Sequence, residues 1–526
     1  MSDPSITLLT ARRHVLTERV ARSLGVFIFI ASLLCVLFAT LFPFDFSISA
    51  HSAGEQILSR FDWRWNPPDP HHEDRIENIL LFMPLGFGVA ALINPRRNRA
   101  ALQFSLALLL SFFLTSFVET SQTFVSFRDP SMADIWCNSL GGVLGAIVYI
   151  FSGDWLLNLA AKILLWMRPI VTPLTIGGVL LLYALFQLAE PLILHNPGDL
   201  SVWDPTMQLA VGNAPSNDRG WLGNISQLAF ADRAASPQEI NSLFAGDGPD
   251  KIFGNSLLAN FQFGGTGPFR DLSGQLQPLN WFDVPSREIN AASAVMTGNR
   301  WLLTRTPMQP AIDRIARSSQ FTLAATIATI DPQQHGSEQI IDIASSLRQY
   351  NLQIAQEYHD VILSLRTAMR TTPNLRLRDV LPDTLPHQLV ITVRNAQVNV
   401  YVDGNERGRV EISPEAKVIW RLYPRGGFTL RVERYAFRSY AAIYRLFVYI
   451  PFSALLAAML TISNWSRKTT RIVAVCVLFA MVISLEIILG LQSESGFQMT
   501  NLLIALMIGF GVLGAMSLMA NRVRAA

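Results

Sequence analysis

The sequence predicts a multi-domain membrane protein: an α-helical transmembrane bundle of about eight spans, with a β-sandwich inserted between the fifth and the sixth. Three observations predict it. Half of the 526 residues are hydrophobic and only 15% are charged, a balance foreign to soluble domains. Eight apolar runs each reach the roughly 17–25 residues that a crossing needs. Between the fifth and sixth runs the texture changes to short alternating stretches rich in Gly, Pro, Asn and Asp, the pattern of strands and turns.

The elements follow in order. Residues 1–23 carry Arg12, Arg13, Arg19 and Arg22 ahead of the first run. The runs lie near 24–43, 77–94, 101–119, 132–151, 170–190, 441–462, 471–491 and 500–519. Further basic residues fall at Arg96, Arg97 and Arg99, at Lys162 and Arg168, at Arg467, Lys468 and Arg471, and at Arg522 and Arg524. If all eight runs cross, every one of these clusters lies on the same side, which is the positive-inside pattern. Both termini, including the tail 520–526, are then cytoplasmic. The first run is longer than the roughly 7–15 residues of a secretory signal core, so it reads as an uncleaved anchor. Spans one to four form a unit over 24–152. The segment 153–169, with "DWLLNLAAKILLWM", suits a helix lying in the cytoplasmic interface or an extension of the fourth span.

Residues 195–440 then lie outside. In "QLVITVRNAQVNVYVDGNERGRVEI" the valines 398, 400 and 402 alternate with polar neighbours, and Asp403-Gly404 supplies a tight hairpin turn. The three cysteines, Cys35, Cys137 and Cys476, all fall in apolar runs, so a packed core rather than a disulfide framework must hold the sandwich. Trp203, Trp221, Trp281 and Trp301 are core candidates, with sugar stacking as the functional alternative. Asp271 in "RDLSG" reads as a turn, or as part of a calcium rim. No other cofactor is indicated. The net charge of +3 gives no ground for a nucleic-acid partner.

One stretch breaks the apolar pattern: "ETSQTFVSFRDPSMADIWCNSLGG", residues 119–142, joins the third and fourth runs. Ionisable groups at membrane depth are costly, so they pair or line a cavity. The separation of Glu119 from Asp134 lets the two carboxylates face one another across antiparallel helices, with Arg128 able to reach either. A headgroup pocket would use Arg128 to fork a phosphate or carboxylate. Gln122 and Asn138 would read hydroxyls or amides, and Arg75 and Asn78 would join the rim. The structural alternative makes Asp134 a helix cap and Glu119–Arg128 an interfacial ion pair. Paired carboxylates also permit acid–base catalysis, although no nucleophile motif completes such a site. Adjacent His71, His72, Glu73 and Asp74 cannot all converge on one metal ion. Gly141, Gly142 and Gly145 fit close helix packing.

Two resemblances rest on these residues. "ENILLFMPLGFGVA" and "ETSQTFVSFRDPSMADIWCNSLGGVLGA", with Asn78, Pro84, Gly86, Glu119, Gln122, Arg128, Asp134 and Asn138, resemble the VanZ-like membrane family over residues 24–151. "LLANFQFGGTGPFRDLSG", "LPHQLVITVRNAQVNVYVDG" and residues 209–244 resemble a concanavalin/laminin-G-type jelly roll over about 200–440. Its closing piece stands first, which implies a circular permutation if residues 209–244 pair with strands beyond 255. The resemblances imply a bacterial inner-membrane protein linked to glycopeptide-antibiotic tolerance or envelope-lipid handling, with a periplasmic sandwich for glycan or protein recognition. Membrane lipids and an envelope glycan or lipid-linked precursor are the implied partners. The alternatives are a membrane enzyme or lipid translocator using Glu119, Asp134 and Arg128, or a scaffold of polysaccharide export. "MTNLLIALMIGFGVLGA" and the preceding Glu486 echo the Glu119 segment weakly, either as a degenerate second copy or by chance.

Overall fold

Apolar runs that leave water must satisfy their own backbone N–H and C=O groups, and they do so as helices. The structure, a computed structural model, describes residues 4–47, 53–64, 72–93, 99–125, 128–193, 198–282, 292–368, 373–394, 396–422, 428–432, 437–463, 465–493 and 496–525. Among the described residues eight helices are long and apolar enough to cross a membrane, and they fall on the eight runs marked by the sequence. The chain divides into two compact units: Met1–Val179 with Ala458–Asn464, and Leu180–Ala457 with Trp465–Ala526.

In the first unit α1 (Pro4–Leu41) leads through β1 (Asp45–Phe46) and α2 (Ala53–Arg60) to α3 (His72–Leu92), α4 (Ala100–Gln122) and α5 (Met132–Val148). A π-type turn, Tyr149–Gly153, carries α5 into α6 (Asp154–Trp166) without a break, so the fourth span runs on as one 35-residue helix. α7 (Pro173–Ile193) follows.

Close helix packing fixes this unit. A Cβ placed on Gly86 would overlap the Gly142 carbonyl, one on Gly141 the Ile79 carbonyl, and one on Gly145 the Met83 carbonyl. α3 and α5 therefore touch backbone to backbone, which only glycine allows. Gly142 also faces the Ser111 hydroxyl of α4. The spacing of Gly141, Gly142 and Gly145 thus determines how near three helices come, and so where their polar ends meet.

The second unit holds the sheets. Its strands are β2 (Gln208–Val211), β3 (Leu222–Ala231), β4 (Leu257–Gln262), β5 (Leu279–Trp281), β6 (Ala294–Thr297), β7 (Leu302–Thr304), β8 (Gln320–Thr329) and β9 (Glu338–Ser346). They continue with β10 (Gln349–Glu357), β11 (Asp360–Leu365), β12 (Asn374–Leu377), β13 (His387–Arg394), β14 (Gln397–Val402), β15 (Asn405–Glu411) and β16 (Thr429–Arg431). One sheet runs β16-β12-β11-β10-β9-β2-β7-β5 and the other β15-β14-β13-β8-β3-β4, with β6 also on β3. The early strands β2 and β3 sit inside the two sheets, where β2 pairs β9 and β7 and β3 pairs β4, β6 and β8. Residues 209–244 therefore do pair with strands beyond 255, and the region is one two-sheet body.

The core is built from alternation. Val398, Val400 and Val402 point inward from β14, and its turn into β15 places Asp403 at φ 49° and Gly404 at φ 79°, the left-handed pair a two-residue hairpin needs. Trp203, Trp221 and Trp301 are buried core residues, while Trp281 is half-buried under Arg300, whose guanidinium lies 4.0 Å from the ring centroid. The three core indoles offer no stacking face to a sugar. Asp271 accepts hydrogen bonds from the backbone N–H groups of Asn260, Ser273, Gln275 and Leu276 and from the Ser273 hydroxyl. Its carboxylate organises a turn.

Four short helices complete the domain: α8 (Pro237–Phe244), α9 (Pro249–Phe253), α10 (Gln309–Ser318) and α11 (Pro414–Arg421). α8 begins with a full capping box between Ser236 and Glu239. Arg233 grips the same Glu239 at 2.6 and 2.8 Å. The chain then enters α12 (Tyr440–Ile462), α13 (Arg467–Gln492) and α14 (Met499–Ala525).

Candidate functional site

The polar groups of residues 119–138 meet where α3, α4 and α5 come together. Thr115, Glu119 and Gln122 recur at helical spacing along one face of α4, and all three are buried. Asp134 and Asn138, one turn apart on α5, face them. The Asn138 amide donates to the Thr115 hydroxyl at 2.9 Å. Ser131 caps α5 by accepting from the Asp134 N–H at 3.1 Å and donating back to the Asp134 carboxylate at 2.7 Å. Asn78 of α3 donates to the other Asp134 oxygen at 2.6 Å. Asp134 is therefore a cap, and also the tie between α3 and α5.

Arg128 also serves a need that the sequence does not show. Its Nε and Nη2 donate to the carbonyls of Phe42 and Ala39, at 2.9 and 2.6 Å, at the C-terminal end of α1. Gln122 does the same for the Thr40 carbonyl at 2.9 Å. The reason is general: the last four carbonyls of a helix have no partner within it, and inside a membrane they need donors. The expected Glu119–Arg128 ion pair gives way to this need. Arg60 of α2 plays the matching part for the next helix, donating to the carbonyls of Thr123 and Val125 and, at 2.8 Å, to that of Arg128. Gln56 adds a donor to the Thr123 carbonyl at 3.0 Å. None of Thr115, Ser131, Arg60 or Gln56 was marked by sequence, although Ser131 three residues before Asp134 is a readable cap signal.

Three groups are left with capacity. Glu119 is only 2% exposed and takes one hydrogen bond, from the Ser131 N–H at 3.1 Å. The Asn138 carbonyl oxygen is buried and has no hydrogen-bond partner among the described residues. The Ser111 hydroxyl, against Gly142, is in the same condition. Carboxylate, amide oxygen and hydroxyl are thus available, while the guanidinium is already engaged. Such a set can accept from hydroxyls or an ammonium group, or hold a proton. Arg75 lies half-buried near the start of α3. The side chains of His71, His72, Glu73 and Asp74 lie outside the described residues, and no group of three or more His, Cys, Asp or Glu able to hold a metal occurs among the described ones.

This arrangement of capped loop, glycine contact and buried Glu119 lies within a recognised domain. Residues 29–156 match the VanZ/LLP1 family model. No curated protein and no solved structure matches the chain. The VanZ-like domain covers α3, α4 and α5 with the C-terminal third of α1, and so contains every residue of the polar cluster. The match does not extend to the C-terminal helices. Glu486, the apparent counterpart of Glu119, is in fact paired with an arginine, so the likeness of "MTNLLIALMIGFGVLGA" does not carry the chemistry with it.

Proposed function

We propose that the VanZ-like domain holds the polar headgroup of an envelope lipid or lipid-linked glycan against Glu119 and Asn138. The observation that carries this reading is the pair of buried acceptors with unfilled hydrogen-bonding capacity at the meeting of three helices. Buried polar atoms without partners are rare in native proteins and call for an explanation, a missing ligand being one. Because Arg128 is engaged with α1, the favoured headgroup presents hydroxyl or amine donors in place of a phosphate. The protein then sits in a bacterial inner membrane with both termini cytoplasmic and contributes to glycopeptide-antibiotic tolerance through envelope-lipid handling. Recognition by the sandwich would run through polar loops, since three of its four candidate tryptophans belong to the core.

A second reading is favoured by one asymmetry. Asp134 takes donors from Asn78 and Ser131, whereas Glu119 takes a single amide. Two neighbouring carboxylates in unequal surroundings can divide acid and base duties, as a membrane enzyme or a translocator would require. Mass spectrometry of lipids and glycans co-purifying with wild type, Glu119→Gln, Glu119→Ala and Asn138→Ala separates the readings. Headgroup binding predicts a species lost in all three variants. Catalysis or translocation predicts one that accumulates in Glu119→Gln. Identical profiles across the set, with the variants correctly inserted, would sink both.

A further inference from the structure

The VanZ-like domain does not account for a second concentration of charge, which lies wholly in the other unit. The start of α12, the end of α13, the start of α14, α11 and β15 enclose a cleft of about 320 Å³. At its floor lies Arg445, 1% exposed, with Nη2 2.5 Å from Glu486 and Nη1 3.4 Å from Glu415. Nη1 also donates to the Ala441 carbonyl at 2.7 Å, and Tyr449 donates to Glu486 at 3.3 Å. Both carboxylates are buried, at 3% exposure for Glu486 and 6% for Glu415.

Two features of this floor are unexplained by packing. One guanidinium faces two buried carboxyl groups, an imbalance that a second positive group beside Glu415 would settle where charges are poorly solvated. The Arg445 Nε–H, equally buried, has no hydrogen-bond partner among the described residues. The floor thus asks for a positive group beside Glu415 and an acceptor oxygen beside Nε. At the rim stand Arg409, 64% exposed and 3.5 Å from Glu406, and Glu411, which accepts from the Ser493 hydroxyl at 2.8 Å. Apolar side chains lie exposed close by, with Leu491 82%, Phe497 50% and Met499 60% exposed at the ends of α13 and α14.

We propose that this cleft binds a zwitterionic headgroup in which a primary ammonium and a phosphate are a few bonds apart, borne on a lipid. The ammonium hydrogen-bonds Glu415 and settles that imbalance, while an ester or phosphate oxygen accepts from Arg445 Nε. The phosphate reaches Arg409 as a charge-assisted contact. The exposed apolar side chains at the helix ends suit the chains of a lipid and have no use in holding a soluble phosphoamine. This inference stands apart from the Glu119 site and does not depend on it.

The test uses the full-length protein in detergent micelles, with native mass spectrometry of added dioleoyl phosphatidylethanolamine, phosphatidylglycerol and phosphatidylcholine. Wild type should retain phosphatidylethanolamine about tenfold more tightly than either, the worth of one charge-assisted hydrogen bond. Glu415→Gln should abolish that preference, and Arg409→Gln should weaken phosphatidylethanolamine and phosphatidylglycerol by similar factors. Both variants spare the Arg445–Glu486 pair, so hydrogen exchange along α12 and α13 should be close to wild type. Equal retention of the three lipids by wild type, or an undiminished preference in a folded Glu415→Gln, overturns the proposal. Competition by free O-phosphoethanolamine as effective as the lipid would overturn the lipid source while leaving the chemistry in place.

Discussion

Replacing Glu486 by alanine takes away the carboxylate 2.5 Å from Arg445 and leaves a guanidinium that is 1% exposed. Removing one partner of a buried ion pair costs about 3–5 kcal/mol, most of it the penalty of an uncompensated charge. Arg445 keeps Glu415 at 3.4 Å and the Ala441 carbonyl at 2.7 Å, so the cost should fall at the lower end, about 3 kcal/mol. The triple variant Arg445→Met, Glu486→Leu and Glu415→Gln, which removes all three charges and roughly keeps the volume, should return to within about 1 kcal/mol of wild type. Because the chain has two compact units, a single melting temperature is a poor measure. Hydrogen exchange along α12 and α13 reads the local opening directly. Three kcal/mol corresponds to about a hundredfold faster exchange there in Glu486→Ala. Exchange within about threefold of wild type would refute the picture of a desolvated, mutually dependent pair.

Gly145→Ala should loosen the VanZ-like domain by about 1–3 kcal/mol, since its methyl group would meet the Met83 carbonyl. Gly178→Ala, where nothing lies within 4 Å, should be neutral or mildly stabilising, both effects being read by limited proteolysis of the full-length protein. In the sandwich, the Arg233 hydrogen bonds hold the Glu239 carboxyl down to about 2 against an ordinary 4.5, so its contribution is complete above pH 4.5 and is lost as pH falls towards 2. Allowing for its partial exposure, the contribution is on the order of 1–2 kcal/mol. Glu239→Gln should flatten the acid limb of tryptophan-fluorescence melts. Asp342 acts with the opposite sign: complete burial pushes its carboxyl well above the usual 3.8, so stability falls as pH rises beyond that value. Asp342→Asn should raise stability at neutral pH, and an unchanged melt there would contradict the assignment.

Local signals were legible and long-range ones were not. Runs of apolar length marked the eight helices, and alternation with Asp403-Gly404 marked the hairpin, because both depend on neighbours in sequence. The Gly141, Gly142 and Gly145 spacing also carried its meaning, since helix-to-helix approach depends on which residues share a face. The helix-end contacts of Arg128 were hidden for the converse reason. It lies close in sequence to two carboxylates, but it also donates to carbonyls 86 and 89 residues away, whose need for donors is invisible until helix ends are brought together. Arg445 was readable as a charge inside an apolar run, but its pairing with Glu415 and Glu486 joins segments that only the folded second unit assembles.

The donors that Arg128 and Gln122 present to the end of α1 have a bearing on biogenesis. The first helix enters the bilayer long before the loop that closes it is synthesised, so its terminal carbonyls must wait, held by water or by the insertion machinery, until the α4–α5 hairpin arrives. A signal peptidase that excised α1 would remove the carbonyls to which that guanidinium and amide donate. Retention of the leading helix is in that sense a condition for the hairpin's own seating.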